Sequence, residues 1–254
     1  MYKPCENART EGKSKINIQL NGTVNLETKL LYKLTGISAI ILVVSYIIII
    51  VLYVFSGVPP SGGEEWLKHI EGHTPEWWSI LGLSVFTDLL YIPVAYSLYV
   101  MLQEVNKNAM LAGVGFFILF VILDLAITWT NYSALITLSS KYAAATDISQ
   151  RNAIIVTADY VSAVISSGLI KVYIILFPAI GIFIFSLVML KGKVSKTTAY
   201  LGVATGLLGI ISVAGPFFIS SLEIMVVITS IFTTAWFLLV GIRFLRLAAA
   251  IPAR

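Results

Sequence analysis

After a polar opening, residues 1–35, the chain is a succession of long apolar runs separated by short polar connections. Six runs stand out, near 37–56, 79–102, 110–138, 168–190, 198–219 and 222–245. Each matches or exceeds the roughly 20 residues that a helix needs to cross a bilayer. Isoleucine and valine dominate the first run, yet helix is still expected there. In hydrocarbon an open strand leaves its backbone groups unsatisfied, whereas a helix satisfies its own. The third run is longer than one span requires, so it should tilt or emerge near Trp129 to Tyr132, whose rings suit an interface. The pattern predicts an all-α fold: a polytopic membrane domain of six transmembrane helices over 36–248, with polar tails at 1–35 and 249–254.

Between runs the polar positions also carry information. Leu26 to Leu34 reads as the start of a surface helix, while Gly12, Asn21 and Gly22 interrupt the tail, which is expected to be flexible. The connection at 57–78 holds Glu64, Glu65, Glu71 and Glu76, and its adjacent Trp77 and Trp78 are placed to anchor the second span at the headgroups. In the connection at 139–167, Asp147 followed by Gln150 is a variant capping box. It predicts a short amphipathic surface helix over 148–166, between spans three and four, too polar to cross.

Composition agrees with a lipid-facing exterior. Hydrophobic residues make up 58% of the chain and charged ones 12%, about half the charge of an ordinary soluble domain. The net charge of +4 matters less than where the charges lie. Lys3, Arg9, Lys13, Lys15, Lys29 and Lys33 share one side with Lys107, Lys191, Lys193, Lys196, Arg243, Arg246 and Arg254. Lys68, Lys141 and Arg151 lie on the other, and Lys171 sits near a helix start. By the positive-inside rule both termini are cytoplasmic, which an even number of spans requires. Basic residues that flank apolar runs give no reason to expect nucleic acid. The opening does not read as a cleavable signal peptide, and the single Cys5 cannot form an internal disulfide.

The chemistry-bearing residues are few. An ionised group within a bilayer costs at least about 2.5–3.5 kcal/mol on insertion scales, so such groups face the bundle interior or water. Asp88 and Asp124 lie inside the second and third runs, about 13 Å and 10 Å below the outer ends by helical rise. Each heads a polar stripe: Ser84, Asp88 and Tyr91 on one helix face, Asp124, Thr128 and Asn131 on another. Glu223, Ser230 and Thr234 repeat the arrangement on the sixth span, and Lys171 stands at the outer end of the fourth. These positions outline an outward-facing polar cavity, with Asp88, Asp124, Lys171, Glu223, Asn131 and Tyr91 as candidate ligand- or ion-binding residues. The same residues could instead hold helices in register.

Gly202, Gly206 and Gly209 lie on one face of the fifth helix and permit close backbone approach. That face serves either internal packing or a homo-oligomer or membrane-protein partner. Pro93, Pro178 and Pro216 fall within or near span ends, where they kink helices. His69 and His73 have a metal-like spacing, but Gly72 and Thr74-Pro75 argue against one regular helix, so a solvated loop is expected there. With only these two histidines, most intramembrane metallohydrolase designs are excluded. No nucleophile elbow, phosphate loop or dinucleotide fingerprint is present. Neither a catalytic residue nor a cofactor is indicated.

The runs Thr87-Asp88-Leu89-Leu90-Tyr91-Ile92-Pro93, Leu138 to Thr146 ahead of Gln150-Arg151, and Trp236 to Leu247 resemble a family of uncharacterised six-helix integral membrane proteins of bacteria and archaea. The resemblance covers about residues 30 to 248 and implies a fold and membrane residence, but no activity. The functional expectation is a protein handling a small solute or ion around Asp88 and Asp124. An accessory or scaffolding membrane subunit is the alternative, and an intramembrane enzyme ranks below both.

Overall fold

The structure, a computed structural model, describes residues 6–57, 59–192 and 195–252, with backbone alone for 6–25 and 223. Cys5, Lys193 and Arg254 lie outside the described residues. In chain order the helices are α1 (Glu6–Ser56), α2 (Gly63–Glu71), α3 (Thr74–Leu123), α4 (Thr130–Ala144), α5 (Ile148–Ile165), α6 (Gly168–Lys171), α7 (Phe177–Lys191), α8 (Lys196–Ala214) and α9 (Met225–Ala250). Two π-helical turns interrupt them, Asp124–Trp129 between α3 and α4 and Val172–Leu176 between α6 and α7. Short 3-10 turns at Gly215–Phe217 and Ser220–Ile224 link α8 to α9. The fold is all-α, with no strand among the described residues.

Five helical stretches among the described residues are long and apolar enough to cross a membrane. One of them, Thr74–Ala144, is two antiparallel arms in one helical run. Its reversal is at Asn106, whose φ of −161° and ψ of 92° break the helix, and Asn106 Oδ1 then accepts from the Ala109 amide at 3.1 Å. Asparagine suits this place because its side chain caps the second arm as the chain turns. In an unbroken helix Asp88 and Trp129 would be about 60 Å apart. They are hydrogen-bonded instead. The second arm also continues through α4, beyond the end expected of the third run.

α1 begins at Glu6, so the stretch read as a flexible tail is helical in backbone. Asn21 and Gly22 weaken a helix by only about 1 kcal/mol each or less, too little to end it. The outward side of α1 exposes Val44, Ile47, Ile48, Ile50, Val51, Val54 and Phe55, an apolar surface that water would not favour.

Packing divides into two cores. The larger joins α1, both arms of α3, α7, α8 and α9 around Tyr91, Phe117, Phe185, Trp236, Phe237 and Phe244. The smaller gathers α2, the start of α3, α4 and α5 around Trp66, Leu67, Ile70, Trp77, Leu135 and Ala158. α2 was expected to be loop. It is a helix because Trp66, Leu67 and Ile70 share one buried face while Glu65 and Lys68 stay outside. Gly63 starts it, its amide donating to Asp159 Oδ1 of α5 at 2.7 Å, and a Cβ there would collide with the α5 backbone. Ser139 Oγ of α4 donates to the Leu67 carbonyl at 2.6 Å.

α5 starts where expected, Asp147 Oδ2 accepting from the Gln150 amide at 3.3 Å. Its faces are less distinct than expected. Ile154, Ala158 and Val161 are buried, but Val156 and Tyr160 are exposed. Trp77 is buried and Trp78 half-exposed, so only the second is free to act as an interfacial anchor. Trp129 and Tyr132, expected at an interface, instead join an aromatic cluster in which Tyr132 stacks on Trp77 at 5.7 Å between centroids.

The α8 glycine face is filled from within the chain. A Cβ on Gly202 would overlap Ser186 and Trp236, one on Gly206 would meet Phe183, and one on Gly209 would meet Ala179. The face offered above to a partner is therefore taken up by α7 and α9, whose side chains occupy the space the glycines leave.

Candidate functional site

Where the two arms of α3 and α4 pass α1, a cavity of about 240 Å³ is lined by Tyr46, Tyr53, Ser84, Asp88, Asp124, Thr128, Trp129 and Tyr132. Asp88 and Asp124 are 4% and 3% exposed. Nothing local obliges α3 or the π turn after it to carry a carboxylate at these places. What their placement demands is a polar or charged companion, because a bare buried charge is costly.

Asp88 has one. Trp129 Nε1 donates to Asp88 Oδ2 at 2.8 Å. Asp124 Oδ1 is buried with no hydrogen-bond partner among the described residues. The two carboxyl groups are close enough to interact by charge and by a side-chain hydrogen bond, and Thr128 and Trp129 also interact with the Asp124 carboxyl. No lysine or arginine is among the residues lining the cavity.

Both π turns meet at this place. One carries Asp124, Thr128 and Trp129. The other carries Tyr173 and Ile174, and Tyr173 OH and Thr128 Oγ1 share a hydrogen bond of 3.0 Å. A π turn weakens the helix ladder and recurs where a helix is shaped for function. For the second turn a cause is visible: Pro178, two residues past its end, has no amide to donate back into that turn. In the first, Thr130 Oγ1 donates to the Leu125 carbonyl at 3.0 Å, five residues back.

The remaining expected residues fall elsewhere. Tyr91 is buried, and its hydroxyl shares a 2.5 Å hydrogen bond with Tyr46 OH. It lines a neighbouring cavity of about 220 Å³ with Thr229, Ser230 and Thr234 of α9. Tyr46 and Ile174 border both cavities. Asn131 does not line the carboxylate cavity; its Nδ2 donates to the Ile127 carbonyl at 2.7 Å. Lys171 is exposed and also lies off that lining. Glu223 sits in the 3-10 turn before α9, and its side chain is outside the described residues.

Tyr46, Tyr53 and Trp129 were missed as site residues. Tyrosine and tryptophan in an apolar run read first as packing, and no spacing rule links α1 to Asp88. Helical spacing pointed to Ser84 and Thr128, each one turn from an aspartate.

His69 and His73 do not share one helix. His69 lies in the last turn of α2, His73 precedes α3, and their ring centroids are 5.6 Å apart. Burial, then the His73 charge, holds the His69 imidazole below its ordinary range. No group of three or more metal-ligating side chains occurs among the described residues. Comparison with known protein families, with curated proteins and with solved structures finds no match for this chain.

Proposed function

We propose that the chain is a six-span membrane protein, both termini cytoplasmic, that takes up a proton or a small monovalent cation between Asp88 and Asp124 as part of handling an ion or small solute. The two arms that reverse at Asn106 supply spans two and three, which brings the five apolar stretches to six. The crowding of lysine and arginine at one end supports the orientation. The resemblance noted in the sequence implies the same six-span architecture and adds no activity.

One observation carries the functional reading. Two nearly inaccessible carboxyl groups from opposed helical arms line one cavity with no basic side chain among its described lining residues, and Asp124 Oδ1 has no hydrogen-bond partner among the described residues. Two carboxylates side by side in apolar surroundings cannot both stay bare. A proton or a cation between them resolves the charge, and intramembrane carboxylates of this kind mark ion and proton pathways. The hydroxyls of Thr128 and Tyr46 supply neutral oxygen donors around the same space. Soft π turns on two sides give the site backbone able to change register.

The test is flux in proteoliposomes containing the purified chain and a pH-sensitive dye, under an imposed proton, sodium or potassium gradient. Wild type should dissipate one gradient, and Asp88→Asn and Asp124→Asn should each reduce the rate at least tenfold at unchanged folded yield. Equal rates in wild type and both variants, or a loss of yield without a change in specific rate, would refute the reading.

A further inference from the structure

At the opposite end of the larger core from α2, helices α1, α3, α7 and α9 leave a second kind of cavity, of about 460 Å³. Its walls are apolar: Leu102 and Val105 from α3, Leu247 from α9 and the ring of Tyr32 from α1. Among the described residues, its charged lining side chains are Lys191 and Arg243, both basic. Glu104, next to Val105 in sequence, is exposed and does not line it. Arg243 Nε is buried and has no hydrogen-bond partner among the described residues. Gly192 also lines it, and a Cβ there would press on Leu102 at 3.2 Å.

We infer that this cavity binds the phosphate of an anionic phospholipid, held between Lys191 and Arg243 with its acyl chains along Leu102, Val105 and Leu247. The inference rests on the membrane placement proposed above, under which this end faces the cytoplasm. Guanidinium is the side chain best matched to phosphate, offering parallel N–H donors in a planar fork. A partnerless buried Nε–H is a donor waiting for an acceptor. Lysine adds a mobile charge at the rim. Basic pockets between helices on the cytoplasmic side are where anionic headgroups are recognised, and the apolar walls suit a lipid better than a free anion.

The experiment is thermal unfolding of the detergent-solubilised full chain, titrated with phosphatidylglycerol, phosphatidylcholine or sodium phosphate. Phosphatidylglycerol should raise the midpoint by about 3–5 °C at saturation, with phosphatidylcholine and phosphate giving under 1 °C (about the noise of such a shift). Arg243→Gln should weaken the apparent phosphatidylglycerol affinity about tenfold, one charge-assisted bond's worth. Lys191→Gln, at an exposed position, should weaken it severalfold. An equal shift from phosphatidylcholine, or unchanged affinity in Lys191→Gln and a folded Arg243→Gln, would overturn the inference. Sodium phosphate reproducing the full shift would assign the ligand to solution and overturn the lipid. A chain that stays monomeric without detergent would defeat the membrane placement instead, a separate failure.

Discussion

Trp129 Nε1 donates to Asp88 Oδ2 at 2.8 Å, tying together residues 41 positions apart on the two arms of one helical hairpin. The bond does two things: it satisfies one buried carboxyl oxygen and sets the register of the arms. Trp129→Phe keeps a large ring but removes the donor. It should cost about 1–3 kcal/mol, the cost of an unsatisfied buried acceptor, read as a lower unfolding midpoint in detergent. In an Asp88→Leu background, which leaves no acceptor, that cost should shrink by at least half, and additive effects would show that the bond contributes nothing.

The glycine face of α8 makes a second prediction. Gly202→Ala places a methyl against Ser186 and Trp236, so it should destabilise by about 1–3 kcal/mol through overpacking. Its hydrodynamic size should match wild type. A change of oligomeric state at unaltered stability would mean that the face meets another molecule.

α2 depends on a carboxylate from elsewhere in the chain. Asp159→Ala removes the acceptor at the Gly63 amide and should cost about 1 kcal/mol, as loss of a helix N-cap does. Hydrogen exchange should quicken first over residues 63–71, with the amides of α7 and α8 unaffected. Uniform acceleration across the chain would contradict a local role.

The small core should be pH-sensitive. His69 has a folded-state pKa lowered from 6.5 by burial and by His73. The unfolded chain therefore takes up this proton first, so stability is full above about pH 6.5 and declines as pH falls below it. Tryptophan fluorescence melts at pH 8 and pH 5.5 should show the lower midpoint at pH 5.5, and His69→Gln should reduce the difference. No reduction would remove His69 from the explanation.

The apolar runs made the helices legible because a run of about 20 such residues has one stable form in hydrocarbon. Asp147 announced α5 by ordinary capping chemistry. Asp88 and Asp124 were legible as outliers of polarity, and the structure places both in one cavity. Tyr46 and Trp129 were not, since their roles depend on which helices become neighbours. α2 escaped notice because its buried face, Trp66, Leu67 and Ile70, spans barely one turn. The π turns are a tertiary matter as well: only Pro178 hinted at one in advance.

The account depends most on the acidic pair lying in an apolar setting where a proton or cation is held. Dicyclohexylcarbodiimide, an apolar reagent that modifies carboxyl groups within membranes, tests this in native vesicles when labelled peptides are mapped by mass spectrometry. Modification is expected at Asp88 or Asp124, suppressed by the cation that supports flux and absent from the Asp88→Asn, Asp124→Asn double variant. Labelling confined to exposed acids such as Glu65, with both aspartates untouched under every ionic condition, would contradict it.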